Sequence, residues 1–306
     1  MSGPAVLFDV AAGPVVGMGH LSRCRVYAQA LAGLGVATHL IADGVEAGQA
    51  GAPFAPFDPA RRYGAVVVDR YDAAPQEIAA LRARHGVAVV IDDHASRPVA
   101  ADIVVNGNFY GDSLDYAGYG AQEVLAGPDF APVGESFVAL RDVAPAPRHA
   151  LATFGLSRIA AELGPLARRI APRRPAMQFD IVIPPALRDE APTPVNVALR
   201  APAPLVELLR EAGIVVCGLG VTWQEVIAAG RKAVGVRLVD NQDLMLAAVA
   251  KAGLPVAEAP RAEAILEALA RLEATPQAVW RAAQARLDGR GPARVAAAVR
   301  RRLAAS

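Results

Sequence analysis

Residues 5–35, AVLFDVAAGPVVGMGHLSRCRVYAQALAGLG, contain one strand, one turn and one helix in that order. The apolar, β-branched run over 6–10 has the length and composition of a buried strand. A glycine-rich turn follows, Gly13-Pro14-Val15-Val16-Gly17-Met18-Gly19. It opens into a helix predicted over 21–34, with Leu21, Cys24, Ala28, Leu31 and Leu34 on one face. This is a βα unit.

The unit recurs along the chain. Further strands are expected at 36–41, 65–69, 87–91 and 103–105, with a helix over 75–85. The polar, proline-punctuated segment RDVAPAPR at 141–148 can hold neither a helix nor a central strand and is read as an interdomain linker. A second alternation follows, with strands near 150–154, 178–183, 195–198, 214–217 and 233–236 and helices after most of them. The tail over 263–304 has helical character broken at 289–292. The fold class is therefore α/β, with two Rossmann-like domains: 1–143, 149–288, and a terminal segment at 289–306.

The 306 residues are 54% hydrophobic and 5% aromatic, a composition suited to aliphatic helices on parallel strands and unlike a disordered chain. Thirty-one basic and 30 acidic side chains leave a formal charge of +1, which removes the electrostatic case for nucleic-acid binding. No stretch of about 18 residues is free of charge or loop signals, so no membrane span is expected. Asp9 interrupts the first apolar run and no Lys or Arg precedes Arg23, unlike a secretory signal; a cytoplasmic location is the expectation. Cys24 and Cys217 lie far apart in apolar segments, which excludes a disulfide framework. His20, His39, His85, His94 and His149 lack metal-ligand spacing, so no metal is expected.

Ligands of open α/β sheets bind beyond the carboxyl ends of the strands, which directs attention to the residues there. After the first strand, the glycines would let an anionic ligand approach the backbone at a helix start, and His20 could accept or donate a proton. The same residues could equally be a tight turn with an incidental histidine. Asp69-Arg70-Tyr71-Asp72 follow the third strand and Asp92-Asp93-His94 the fourth; such acids could cap helices or fasten loops just as readily as act on a substrate, and for Asp92, Asp93 and His94 the structural role is expected. His39 and His85 are expected to be satisfied or surface side chains. In the second half, Gly218-Leu219-Gly220-Val221 and Thr222-Trp223-Gln224-Glu225 form a glycine turn and a helix start, with Thr222 and Glu225 spaced as a capping box. Asp240 has the position of an N-cap, whereas Asn241 and Gln242 have no such structural reason.

Several segments together resemble the UDP-sugar hydrolases of pseudaminic acid biosynthesis, relatives of the MurG-type glycosyltransferases with the two-domain GT-B fold. They are GMGHLSRCRVYAQAL at 17–31, VVVDRY at 66–71, IDDHASRP at 91–98, ADIVVNGN at 101–108, LAGPDFAPV at 125–133, VTWQEVIAAG at 221–230, LVDNQ at 238–242 and LDGRGPARVA at 287–296. The resemblance implies a sugar-binding, catalytic first domain, a nucleotide-binding second domain and a terminal helix crossing back onto the first. It implies inverting attack by water on a UDP-linked 2,4-diacetamido-2,4,6-trideoxyhexose, releasing UDP, without metal or cofactor, in nonulosonic acid supply for flagellin or surface glycans.

By the same resemblance His20 activates water, Tyr71 is the cleft tyrosine and Asn241 belongs to the sugar site, together with Asp240 and Gln242. Gly17, Gly19, Gly155, Ser157, Gly218, Gly220, Val221 and Thr222 would contact the nucleotide or its phosphates, and Glu225 the ribose. UDP would sit between the domains, mainly on the second, and the protein would be a monomer. The chain departs from the family pattern at Gly155-Leu156-Ser157-Arg158-Ile159 and at Gly218-Leu219-Gly220-Val221, and it carries Gln224 between Trp223 and Glu225. Apolar Leu156 and Val221 there imply weaker UDP binding or a shifted pose. Two alternatives stand beside hydrolysis: a glycosyltransferase with a sugar hydroxyl as acceptor, and a homologue that binds a sugar nucleotide without turnover.

Overall fold

A computed structural model describes residues 4–13, 18–42, 45, 47–96, 98–155 and 158–305. The chain divides into two compact units, Met1–Pro132 with Arg290–Ser306, and Val133–Gly289.

The first unit contains β1 (Ala5–Val10), α1 (Gly19–Gly33), β2 (Ala37–Ala42), α2 (Ala47–Ala50), β3 (Phe54–Pro56), β4 (Ala65–Asp69), α3 (Pro75–His85), β5 (Val87–Ile91), β6 (Ile103–Asn106) and β7 (Glu123–Ala126). Its seven strands are all parallel in the order β3-β2-β1-β4-β5-β6-β7. Side-chain alternation divides the core cleanly. Val6, Phe8, Val10, Val67, Val89 and Ile91 pack on one face with Leu21, Cys24, Tyr27, Ala28 and Leu31 of α1. Leu7, Val66, Val68, Ala88 and Val90 pack on the other with Ile78 of α3. Both faces are covered, which is why these strands read as nearly continuous apolar runs.

The second unit contains α4 (Glu135–Val138), β8 (Ala146–Thr153), α5 (Leu163–Ile170), β9 (Gln178–Val182), β10 (Val197–Arg200), α6 (Leu205–Leu208) and β11 (Ala212–Gly218). It continues with α7 (Val221–Ala228), β12 (Lys232–Val236), α8 (Asp243–Lys251), β13 (Val256–Ala257), α9 (Ala262–Ala274) and α10 (Gln277–Ala285). Its six strands are parallel in the order β10-β9-β8-β11-β12-β13. The last helix, α11 (Gly291–Ala305), belongs to the first unit. Its Val295, Ala296, Ala298 and Val299 are buried in the same cluster as α1, each valine contributing about 1.5–3 kcal/mol by burial.

The segment expected as a linker lies inside the second unit, since the division falls at Pro132/Val133. Arg141 donates to the carbonyls of Ala228, Gln284 and Leu287, each at 2.8 Å. Residues 146–148 extend β8 despite Pro147. Pairing with β9 begins at His149, and the register with β11 shifts between Ala212 and Ile214, so no ladder bond is asked of the missing N–H. Strands β3, β7 and β13, which the alternation did not reveal, have three, four and two residues. They are sheet edges, defined by the neighbour they pair with more than by their own pattern.

Candidate functional site

In both sheets the strand order reverses direction, between β1 and β4 in the first and between β8 and β11 in the second. Crevices for ligands open at such switch points, outside the carboxyl ends of the strands. In the first unit this is where the polar side chains gather. Asp69 is the last residue of β4 and is fully buried. His20 and Arg23, three residues apart in the first turns of α1, project from one helix face toward it.

Four donors converge on the Asp69 carboxylate. Its Oδ1 accepts from His20 Nδ1 at 2.7 Å and from Arg23 Nη2 at 2.5 Å; its Oδ2 accepts from Arg23 Nε at 2.6 Å and from the Cys24 thiol at 3.2 Å. Arg23 Nη1 reaches a second carboxylate, Asp93, at 2.9 Å from Oδ1 and 2.7 Å from Oδ2. Asp93 Oδ2 also accepts from the Tyr71 hydroxyl at 2.5 Å, and its Oδ1 from Asn108 Nδ2 at 2.6 Å. The Tyr71 ring meets the His20 ring edge-on at 4.9 Å. Gly107 lets the loop carrying Asn108 pass close to its neighbours: a Cβ there would stand 2.5 Å from the Phe130 carbonyl oxygen and 2.8 Å from the Tyr27 hydroxyl.

Burial alone would raise the Asp69 carboxyl, but the Arg23 guanidinium and the His20 hydrogen bond outweigh it and hold the group well below the ordinary carboxylate range. Asp93 is likewise lowered, against burial, chiefly by Arg23. Burial and the Asp93 charge push the Tyr71 phenol up, so it remains a donor. Burial and Asp69 push the Cys24 thiol up, so it remains protonated. His20 Nδ1 faces both the ionised Asp69 Oδ1 at 2.7 Å and the Arg23 Nη2 donor at 3.0 Å, and the shorter contact to the carboxylate assigns the ring proton to Nδ1. A neutral imidazole must then carry its lone pair on Nε2, which has no protein partner among the described residues.

Asp92 and Asp93, expected alike to fasten loops, have separate tasks. Asp92 does fasten its turn: its Oδ1 accepts from the backbone of His94 at 2.9 Å and Ala95 at 3.1 Å, and its Oδ2 from the Tyr119 hydroxyl at 2.7 Å. Asp93 instead joins α1, the segment after β4 and the segment after β6. Sequence reasoning gave no role to Arg23 or Asn108 and only a loop-fastening one to Asp93. The available signal was the three-residue spacing of His20 and Arg23 on an otherwise apolar helix face. His39 and His85 are satisfied structurally, through Pro56 O at 2.8 Å and the Tyr63 backbone N–H at 3.3 Å.

Of the expected phosphate residues, Gly19 is exposed at the start of α1. Gly17, Leu156 and Ser157 lie outside the described residues. In the second unit Gly155 follows β8 with φ +75°, and Gly218–Gly220 follow β11, so both turns stand at the second switch point. A Cβ on Gly218 would stand 2.7 Å from Leu238 Cδ1. Gln242 Oε1 accepts from the Leu238 backbone at 2.8 Å. Its Nε2 would be 3.7 and 4.0 Å from a Cβ placed on Gly218 and Gly220, so its amide donor borders the glycine turn.

Two expectations are corrected here. The capping box does not form: Gly220 is the N-cap of α7 without any side-chain cap, leaving Val221, Thr222 and the half-buried Glu225 within the helix. Asp240 is not an N-cap; it pairs with Arg237 at 2.8 Å, while Gln242 stands at the N-cap of α8. Asp240 opens a 3₁₀ turn, Asp240–Gln242, and so stands three residues ahead of the first residue of α8. Gln224 is fully buried, and neither its Nε2 nor its Oε1 finds a partner among the described residues. Asn241 is exposed between Asp240 and Gln242.

No family model and no curated protein matches the sequence. Solved structures do match. A glycotransferase of kitacinnamycin aligns with a TM-score of 0.70 at 14% identity, covering 98% of this chain and 99% of its own. The calicheamicin glycosyltransferase CalG4 gives 0.67 at 17% identity, covering 99% of each chain. MurG of Acinetobacter baumannii gives 0.61 at 17% identity, covering 97% of this chain and all of that one. At these identities the likeness is one of fold: the chain has the two-domain, Rossmann-like α/β fold of GT-B proteins.

Proposed function

We propose that the protein hydrolyses a UDP-linked 2,4-diacetamido-2,4,6-trideoxyhexose, supplying the free sugar for nonulosonic acid synthesis. The observation that carries the hydrolytic reading is the His20–Asp69 pair at the first switch point, with Nδ1 bound to a buried, ionised carboxylate at 2.7 Å. Such a carboxylate selects the tautomer with a basic Nε2 and stabilises the imidazolium that forms. The sugar class rests on the sequence resemblance, and so do the roles of Asn241, Asp240 and Gln242 at the sugar and of Glu225 at the ribose.

In this reaction His20 Nε2 takes a proton from water as the oxygen bonds to the anomeric carbon. The bond from that carbon to the diphosphate oxygen breaks, its electron pair leaves with UDP, and the configuration inverts. In the second unit the first turn of α7 offers backbone N–H groups of the kind that meet a diphosphate charge. Incubation in ¹⁸O-labelled water tests the reading. Hydrolysis places the label on the anomeric oxygen and releases UDP without an acceptor. The second reading, glycosyl transfer, is favoured by the glycosyltransferases among the solved structures of this fold. It requires an acceptor hydroxyl and leaves the product unlabelled.

A further inference from the structure

At the amino ends of the second sheet, away from the glycine turns at its carboxyl ends, the structure has a cavity of about 640 Å³. It is bounded by the starts of β8, β11 and β12, the segment over 173–177 before β9 and the end of α9. Ile214 and Lys232 are register partners in its wall, and Ile214 lies about 13 Å along β11 from Gly218. We propose that this cavity binds a soluble phosphate ester with an apolar or aromatic organic part. Such a site owes nothing to the reading of His20 as a base.

Charge selects the head of the ligand. Four cations line the cavity, Arg148, Arg173, Arg174 and Lys232, against one acid, Glu273. Arg174 is engaged by that acid at 2.5 Å, and Arg173 stands 3.9 Å from Glu263, which Arg169 already holds at 2.7 Å. Neither the exposed Arg148 nor the half-buried Lys232 has a side-chain hydrogen bond or ion pair among the described residues. In a chain whose 31 basic and 30 acidic side chains nearly cancel, this is a local excess of positive charge, and a concave wall focuses it on whatever enters. A guanidinium beside an ammonium suits a phosphate, since the first can donate to two oxygens at once and the second supplies a point charge.

The rest of the wall selects the body. Pro145, Met177, Ile214 and Leu272 contribute apolar surface to the same cavity, which an inorganic anion alone would leave in contact with water. Arg148 and Lys232 stand on β8 and β12, the strands on either side of the one that carries Ile214. Surface cations ordinarily lay their stems on apolar groups and turn their heads to open water; here the heads border a concavity with an apolar lining. The volume falls within the roughly 300–1,000 Å³ of small-molecule sites, which combine a mostly apolar wall with a few polar groups that fix orientation.

Titration calorimetry of the full chain with 1-naphthyl phosphate tests the proposal, with inorganic phosphate and 1-naphthol as the two halves of the probe. The ester should bind about tenfold or more tighter than either half, and less tightly as salt is raised. The double variant Arg148→Gln, Lys232→Gln removes both charges while keeping polar side chains, and its affinity for the ester should fall about tenfold or more, as expected for the loss of charged donors. A companion measurement needs no variant: the ¹⁵N amide signals of Ile214 and Lys232 in the parent should shift on adding the ester, whatever happens at the Gly218–Gly220 turn. Equal affinity in the parent and the double variant, an ester no tighter than inorganic phosphate, or unmoved signals at Ile214 and Lys232 overturns the proposal. Binding to vesicles containing phosphatidic acid without binding of the free ester would also overturn it, because the cations would then serve a lipid surface.

Discussion

Replacing Asp69 by Asn preserves the side-chain shape while removing its charge and one of its two acceptor oxygens. The carboxylate accepts from His20, twice from Arg23 and from Cys24, and it is fully buried, so an amide NH₂ must face at least one of these donors. Breaking a buried ion pair by removing one partner costs about 3–5 kcal/mol. Arg23 retains Asp93, which places the loss near the lower limit, about 3 kcal/mol. For a unit of about 150 residues, each kcal/mol corresponds to about 2–4 °C, so the first unit should melt about 6–12 °C lower at pH 7. The pH dependence has a definite sign. The folded-state value of Asp69 is depressed below the ordinary carboxylate value of about 3.9, so its stabilisation is fully present above that value and is lost as the pH falls toward the folded-state value. The gap between parent and Asp69→Asn should therefore be constant near neutrality and close progressively below about pH 4. Calorimetric melting across pH 2–8 measures it. An unchanged melting temperature at pH 7, or a gap that widens in acid, would refute the assignment of Asp69 as a buried ionised acceptor.

Three further expectations concern other sites. His20→Gln should slow UDP release by about 100-fold or more, the usual contribution of a positioned acid–base group; a folded variant of near-normal rate would end that role. Gln224→Met should stabilise the second unit by about 1–3 kcal/mol, since both polar atoms of a fully buried amide lack a partner among the described residues. A denaturant midpoint at or below that of the parent would indicate that water satisfies the amide. Hydrolysis should persist in excess chelator, and loss restored by magnesium would mean that a cation, rather than helix N-termini, meets the diphosphate.

The long buried strands were legible because their cause is local. Residues 65–69 and 87–91 are β-branched runs that must be covered on both faces, and the structure has Ala65–Asp69 and Val87–Ile91 as central parallel strands. The α3 helix, Pro75–His85, has the bounds expected from the sequence. Edge strands were not legible, because Phe54–Pro56 and Val256–Ala257 are too short to show a period. Nor was the limit of the second unit, where a local proline signal at 141–148 was overridden by Arg141 reaching three carbonyls distant in sequence.

The candidate site divides in the same way. Sequence alone determined that a histidine would open a helix after a glycine turn, and that acids would stand at the ends of the third and fourth strands, because strand period, helix period and turn chemistry act over a few residues. It could not distinguish Asp92 from Asp93, which are adjacent and chemically identical. Tertiary structure decided that Asp92 closes its own turn while Asp93 meets an arginine 70 residues away, and that this arginine is shared with Asp69. That sharing depends on parallel strands bringing distant segments within about 3 Å in a volume largely closed to water, where one guanidinium must serve two carboxylates. No local pattern encodes such a balance of charge, because it exists only after the core has closed around it.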